Sequence, residues 1–505
     1  MPGAVRGREP DVKEHLTLEE MFGLIGVSVP EAWRALPFPG HVATDNRYVE
    51  PGGAFVALEG ERTDGHRYIC RSSSGGQRPS ETPTAVERGA GLIVVRRGKR
   101  PDGLTVPCVE LEDPERDLAR MASAYLERAR TEGCLREVAA VTGSVGKTTT
   151  REALRCVLGK RFRLHASERS LNTRIGCTAT VLAMPLDAEL LLLEFGANKP
   201  GEIAELTELF PPDSALVTEV APVHLEGFGT LEGVLRGKME IAGSRRLRRF
   251  LFNADNPLLR ERGRAFLPSG RGLPEGWSVG EGKADFQIQA PHFEMRDGLP
   301  AFAGKGLPVL AFHLGRGDLS ASVEFQAGVW GTHMARPLAF AAALGNLLGM
   351  SLEECAAVLR GFRALPGRGR VLSLKDGRFV VDDAYNANPL SLRASLETFV
   401  RLPMSRSEKM AVLGEMKELG PDAARYHREL EPLLDEVGNA VLVGALWREA
   451  FSAPDRPGRF FAGDWREAME LVKGLSWRGL LVKGSNSVGL QNVVRALCGE
   501  PEGRP

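Results

Sequence analysis

The sequence predicts an α/β protein of three domains, and three observations carry that prediction. Its 505 residues exceed what one hydrophobic core organises and suit about three domains. Short, wholly apolar runs alternate with segments of helical spacing in two separate stretches, the pattern of parallel sheets covered by helices. Between one such run and a helical segment stands a glycine-rich loop, VTGSVGKTTT (141–150).

Composition narrows the class. The 65 basic and 65 acidic residues cancel, so no global field draws the chain to nucleic acid or to a membrane surface. A hydrophobic fraction of 43% is ordinary for a globular protein. The seven cysteines, at 70, 108, 134, 156, 177, 355 and 498, show no C-x-x-C spacing. An odd count in a large chain implies reduced thiols and a cytoplasmic protein. The first twenty residues hold no apolar core of a secretory signal, and no run of 18 apolar residues occurs; neither export nor a membrane span is expected.

The N-terminal domain is expected over 1–136. GGAFVALEG (52–60) and GLIVVRR (91–97) read as strands between turns, and SSSGGQRPSETP (72–83) as a solvated, mobile insertion. The central domain, 137–364, opens on the apolar strand REVAAV (136–141). The glycine-rich loop follows, then a helix with Leu154, Val157 and Leu158 at helical spacing. ELLLLEF (189–195) and SALVTEVA (214–221) read as buried parallel strands. Residues 263–330 are glycine-rich and weakly patterned, so only short strands and loops are predicted there. LAFAAALGNLLGM (338–350) and SLEECAAVLRGF (351–362) read as helices. In the C-terminal domain, 365–505, apolar runs at 379–382, 410–413, 439–443 and 479–482 alternate with helical patterns. That alternation predicts a Rossmann-like parallel sheet with helices on both faces.

The glycine-rich loop carries the sharpest chemistry. Backbone N–H groups and a helix N-terminus there cradle phosphates. Lys147 is placed to reach the β- and γ-phosphates, and the Thr148 hydroxyl to bind Mg²⁺. A strict phosphate-loop pattern has glycine where this chain has Val141, but strand, GKT and helix follow in the required order. The central domain is therefore expected to be of the P-loop ATPase type. In open parallel sheets, ligands collect at the carboxyl ends of strands. Three predicted strands converge there: one delivers Lys147 and Thr148, the next ends at Glu194, and the third runs into His224. A glutamate closing a four-leucine run is costly to bury without a partner, and a metal on the ATP phosphates would be one. The plainer alternative is a salt-bridged glutamate and a surface histidine.

These motifs resemble those of the Mur ligases, and within them the branch that joins D-alanyl-D-alanine to UDP-N-acetylmuramoyl-tripeptide. The resemblance spans almost the whole chain. TDNRYVEPGGAFVALEGERTDGH (44–66) is similar to the family's uridine-nucleotide segment, implying substrate contacts from Thr44, Asp45 and Asn46. VTGSVGKTTT resembles its ATP loop, implying nucleotide contacts from Gly143, Ser144, Val145, Gly146, Lys147, Thr148 and Thr149. EFGANKPGEI (194–203), HLEGFG (224–229), DDAYNANPLS (382–391) and LGEMKELG (413–420) resemble the motifs that set this branch apart.

The resemblance implies ATP as co-substrate, an acyl-phosphate intermediate and two Mg²⁺ ions. Thr148, Glu194 and His224 serve the metals, and Lys147, Glu194, His224 and Lys238 are catalytic. Lys238 matches a carbamoylated lysine: its ammonium would repel Mg²⁺, whereas a carbamate made with CO₂ offers an anionic oxygen. By itself Lys238 reads as a helix-surface lysine. Arg368 is implied at the ATP phosphates, Asp383 at the ribose, Asn386 and Asn388 at the amine donor, and Asn172 and Thr173 at the peptide substrate. The nucleotide-sugar tripeptide and D-alanyl-D-alanine are the expected partners of a monomer.

Departures from the family mark where this could fail. GTHMARPLAF (331–340) carries Met334 and Pro337 where the family has asparagines associated with adenine; methionine offers no amide hydrogen bond. SERSLNTRIG (167–176) keeps only Asn172 of an asparagine-richer motif. The alternatives are a sister Mur ligase adding another amino acid and a catalytically silent nucleotide-sugar-binding homologue.

Overall fold

Strands apolar on both faces must be buried, and this chain buries them in three sheets. The computed structural model describes residues 15–60, 63–71, 82–167, 171–267, 274–293, 295–296, 299–300, 302–303, 307–317, 322–451 and 456–499.

The first sheet has four parallel strands in chain order: Val42–Ala43, Ala54–Val56, Leu92–Arg96 and Cys108–Leu111. GGAFVALEG contributes only Ala54–Val56. Its flanks leave the sheet in turns closed by Gly53 N–H to the Glu50 carbonyl (2.9 Å) and Gly65 N–H to the Leu58 carbonyl (2.8 Å). Of the insertion predicted at 72–83, residues 72–81 lie outside the described residues.

The helix Pro114–Thr131 begins at Asp113, whose carboxylate accepts the Arg116 N–H, with proline in its first turn. It buries Leu118, Met121, Tyr125 and Leu126, and the Tyr125 hydroxyl donates to the Met184 carbonyl (2.5 Å). One apolar cluster therefore runs from Leu16 to Leu259, joining the first sheet to one face of the central sheet.

The central sheet has nine strands. Their order is Val323–Ala327, Leu310–Arg316, Phe286–Phe293, Glu275–Gly280, Arg249–Asn253, Ser214–Val217, Glu137–Thr142, Leu190–Glu194 and Leu164–Ala166. The last seven are parallel, and Leu310–Arg316 runs antiparallel to both its neighbours, Phe286–Phe293 and Val323–Ala327. The weakly patterned stretch thus supplies four of the nine. Phe286–Phe293 alternates in exposure over its length and so lacks the continuous apolar run of a parallel core strand, whereas Leu310–Arg316 is mostly buried on both faces. The other face of the sheet packs against the helices Lys147–Leu158, Ala335–Leu347 and Leu352–Leu359.

The third sheet has six strands in the order Arg370–Ser373, Phe379–Asp383, Gly479–Lys483, Lys409–Gly414, Asn439–Val443 and Arg459–Ala462. Five are parallel, as expected. Arg370–Ser373 is an antiparallel edge. The two edge strands, four residues each and only partly buried, escaped the search for apolar runs. Separate apolar clusters cover its two faces. Among the described residues no helix is long and apolar enough to cross a membrane.

Asp213 pins the first two regions together. Only 2% exposed, it accepts the Val138 N–H (2.9 Å) and pairs with Arg130 at 2.8 Å, whose side chain is itself buried at the end of the long helix. Asp213→Ala strands a buried guanidinium. The expected cost is about 3–5 kcal/mol, read as a lowered urea midpoint, with Asp213→Asn less damaging because it keeps an acceptor for Val138.

Candidate active site

The phosphate loop is shaped by two glycines. Gly143 has φ 141° and Gly146, capping the helix Lys147–Leu158, has φ 86°; both angles favour glycine. A Cβ on Gly143 would collide with Thr218 Oγ1. Neighbouring chain bolts the loop in place: Ser144 N–H donates to the Glu219 carbonyl, Ser144 Oγ exchanges hydrogen bonds with Ala221, and Thr218 Oγ1 donates to the Val145 carbonyl (2.6 Å). Lys147 folds across the loop, its Nζ donating to the Gly143 carbonyl (2.7 Å). Burial pulls its pKa below the usual lysine range, against the opposing pull of Glu194.

Glu194 ends the strand Leu190–Glu194 and is 1% exposed. Its Oε1 accepts from Asn172 Nδ2 (2.9 Å) and Thr148 Oγ1 (3.3 Å). Its Oε2 has no hydrogen-bond donor among the described residues, and the Arg151 guanidinium stands 3.5 Å away. Arg368, from the third region, donates to Thr148 Oγ1 (3.3 Å) and lies 3.9 Å over the Tyr385 ring. Burial lowers its pKa, while Tyr385 and Glu194 oppose that shift.

His224 follows the third strand end in a left-handed conformation, φ 48°. Its Nδ1 meets the Glu418 carboxylate, and the Leu225 N–H donates to the Glu418 carbonyl (3.1 Å). Burial lowers the imidazole pKa; Glu418 opposes this, and the charges of Lys238 and Lys147 reinforce it. Lys238 is 1% exposed on the helix Leu231–Met239, which corrects the reading of a surface lysine. Its Nζ donates to the Ala197 carbonyl (3.1 Å) and lies 5.1 Å from the Phe228 ring centroid. Burial, with Lys147 nearby, brings its pKa down to about 7.

A cavity of about 1220 Å³ opens among these groups, walled by residues from all three regions, from Glu115 through the phosphate loop to Asn388; Gly143 and Lys238 are not among its lining residues. Ser144, Val145, Gly146, Lys147, Thr148, Thr149, Asn172, Thr173, Glu194, His224, Arg368, Asp383, Asn386 and Asn388 all line it. Asp383 pairs with Lys483 (2.7 Å) and accepts from Ser395 Oγ (2.5 Å). Asn388 caps the helix Pro389–Val400, its Oδ1 accepting the Ser391 N–H, and Asn386 Oδ1 accepts the Ala387 N–H. Both asparagines thus build the turn as well as face the cavity. Thr173 caps the helix Arg174–Leu182.

Met334 and Pro337 also line the cavity, with Met334 anchored in the apolar cluster beneath. Beside them His333 is half-buried, its enclosed Nδ1 without a hydrogen bond among the described residues, and desolvation holds its pKa down at about 4. Arg336 there is paired with Asp255 (2.9 Å).

Thr44, Asp45 and Asn46 are not brought into this cavity. Thr44 lines a shallow depression with Glu115, Leu118 and Ile175. Asp45 caps a turn and pairs with Arg47 (2.8 Å), and Asn46 is buried, donating to the Pro83 carbonyl (2.9 Å). Sequence reading missed four contributors: Thr218, Arg151, Glu418 and Lys483. Lys483 had a usable signal, a cation closing the apolar run 479–482 at a strand's carboxyl end. Thr218, Arg151 and Glu418 matter through contacts distant in sequence.

Gly143→Ala is expected to weaken binding of a fluorescent ATP analogue at least tenfold, about 1.4 kcal/mol. The added methyl displaces Thr218 and the backbone angle is unfavourable for alanine. Unchanged affinity by titration would show that the loop does not hold phosphates.

Comparison with known proteins agrees with this geometry. Residues 141–268 match the Mur ligase middle domain, and residues 367–486 the Mur ligase, glutamate ligase domain. The UDP-N-acetylmuramoyl-tripeptide–D-alanyl-D-alanine ligase of Bacillus subtilis is 28% identical over 473 residues, covering 91% of this chain and 93% of the relative. That of Escherichia coli is 29% identical, covering 90% and 93%. Among solved structures, MurF from Acinetobacter baumannii superposes with a TM-score of 0.75 at 23% identity over 97% of this chain and all of the other. MurF ligase from Thermotoga maritima, in complex with ADP, gives 0.71 at 24% identity over 91% and 97%. Two Mur ligase domains in order, on a fold shared along nearly the whole length, make this chain a member of the Mur ligase family.

Proposed function

We propose that this chain joins D-alanyl-D-alanine to UDP-N-acetylmuramoyl-tripeptide at the expense of ATP, in peptidoglycan precursor synthesis, as a cytoplasmic monomer. The observation that carries the reading is the meeting of Thr148, Glu194 and Arg368 at one wall of a cavity large enough for several substrates. Relatives named for this reaction, aligned over nine-tenths of the chain, support it. In this reading residues 1–136 hold the nucleotide sugar, 137–364 the ATP and 365–505 the amine donor.

The donor set suits Mg²⁺. Glu194 Oε2 is a buried carboxylate oxygen that accepts no hydrogen bond among the described residues and has the Arg151 guanidinium 3.5 Å away; a closer cation would stabilise it further, and a hydroxyl and a carboxylate oxygen are hard ligands. Thr148, Glu194 and His224 would hold the metals, which would neutralise charge on the phosphoryl oxygens. Lys238 fits such a site only after losing its charge. Its neutral amine, favoured above about pH 7, adds to CO₂ and releases a proton, leaving an anionic carbamate.

Lys147 and Arg368 present two cations where the γ-phosphoryl group changes partners, so they stabilise its shifting charge. A carboxylate oxygen of the tripeptide attacks the γ-phosphorus and ADP leaves, giving an acyl phosphate. The dipeptide amine then attacks the acyl carbon, inorganic phosphate leaves and the amine gives up a proton. Asn386 and Asn388 face the cavity at the wall where that amine would enter, and Asp383 is assigned to the ribose. The contact of Arg368 with Thr148 closes the third region onto the second, which keeps water from the acyl phosphate.

Phosphate release should require ATP, the nucleotide-sugar tripeptide and D-alanyl-D-alanine together, with the pentapeptide product seen by mass spectrometry. Release with a different amino acid would assign a sister reaction. Release with no combination would favour a nucleotide-sugar-binding homologue, the reading that Met334 and Pro337 motivate. Lys238→Ala should lose at least a hundredfold in kcat and recover part of it with short carboxylic acids; an unaltered rate removes Lys238 from the chemistry. Carbamate formed from ¹³C-bicarbonate should increase as pH rises through about 7, followed by ¹³C NMR.

A further inference from the structure

Among the described residues only three other than glycine hold a left-handed backbone: His224 (φ 48°), Ala290 (φ 46°) and Glu418 (φ 63°). Such conformations persist where the surroundings enforce them, and they gather at functional sites. Two of the three touch each other across the cleft. Glu418 follows the strand Lys409–Gly414 of the third sheet, and His224 follows a strand of the central sheet. The contact is double. The Glu418 carbonyl accepts the Leu225 N–H (3.1 Å), and the Glu418 carboxylate meets His224 Nδ1.

The Glu418 carboxylate has no cationic side chain within ion-pair distance among the described residues; the adjacent Lys417 turns to Glu415. More than half exposed, it is directed to the imidazole rather than to a lysine or arginine. A carboxylate accepts only from a protonated nitrogen, so the contact places a proton on Nδ1 and leaves the lone pair on Nε2. Carboxylates orient metal-binding histidines in this way, and losing one typically weakens metal affinity by about 10–100-fold.

We propose that Glu418 is a positioning residue, through which the third region fixes the tautomer and orientation of His224 as a metal ligand of the central region. The inference rests on His224 being a ligand. It makes metal affinity depend on docking of the third region: undocked, His224 loses its orienting carboxylate.

Two substitutions test this in the full-length protein. Glu418→Gly removes the carboxylate, tolerates φ 63° and keeps the carbonyl for Leu225. Glu418→Gln retains an acceptor oxygen at the same reach. Mn²⁺ binding in the presence of ADP is read by electron paramagnetic resonance, and the histidine tautomer by ¹⁵N shifts of the metal-free, ¹⁵N-histidine-labelled protein. Glu418→Gly should weaken Mn²⁺ binding at least tenfold and move the His224 proton from Nδ1 toward Nε2. Metal-free ADP affinity should not change, and Glu418→Gln should stay near wild type in both readouts. Wild-type Mn²⁺ affinity with Nδ1 still protonated in Glu418→Gly overturns the proposal. His224→Ala separates the two levels. If it weakens Mn²⁺ binding while Glu418→Gly does not, the ligand stands and the positioning role falls; if it leaves binding intact, both fall.

Discussion

A carboxylate buried at the end of an all-leucine strand is the constraint around which this molecule is arranged. Glu194 could not sit 1% exposed without donors from several directions. It receives them from Thr148 at the start of the phosphate-loop helix and from Asn172, with the Arg151 guanidinium standing close. Each partner is held in turn: Arg151 also by Ser167 and Glu152, Thr148 by Arg368. Its other oxygen accepts no hydrogen bond among the described residues and has only the longer ion pair with Arg151. A carboxylate so enclosed, with donors fixed on one oxygen and an ion pair on the other, is a preorganised anionic group.

The second organising fact is that the site is assembled from surfaces no single region owns. The strand Glu137–Thr142 lies between Leu190–Glu194 on one side and Ser214–Val217 on the other, so successive crossovers leave it in opposite directions and open a crevice at its carboxyl end. The third region reaches into that crevice at two separate points, Arg368 onto Thr148 and Glu418 onto His224. Two contacts define a docking orientation where one would leave a pivot.

What was legible in the sequence follows from what pattern can carry. Strands buried on both faces announce themselves as apolar runs, so Leu190–Glu194, Lys409–Gly414 and Asn439–Val443 were visible with nearly their true limits. Strands with one wet face, such as Phe286–Phe293 and Arg370–Ser373, mix polar residues into the run and were lost. The site shows the same division. Lys147 and Thr148 were readable because loop, strand and helix are contiguous. The burial of Lys238 was not, because the groups around it come from other strand ends, and its own helix carries charge on both sides. Thr44, Asp45 and Asn46 were assigned through resemblance, and the fold gives Asp45 and Asn46 structural work in a turn.

The apolar cluster that spans Leu16 to Leu259 has a consequence for how the chain is made. Emerging from a ribosome, the first 136 residues carry a long helix whose outer face is covered by helices encoded later, Arg174–Leu182 and Glu202–Leu209. That face of the first region therefore stays open until the helices Arg174–Leu182 and Glu202–Leu209 have been synthesised. The third region has no such debt, since its two clusters draw almost entirely on residues after 370, with Trp330 the one earlier member. Nascent chains released before residue 209 should therefore expose apolar surface to chaperones, whereas the last part folds as a late, nearly self-sufficient unit.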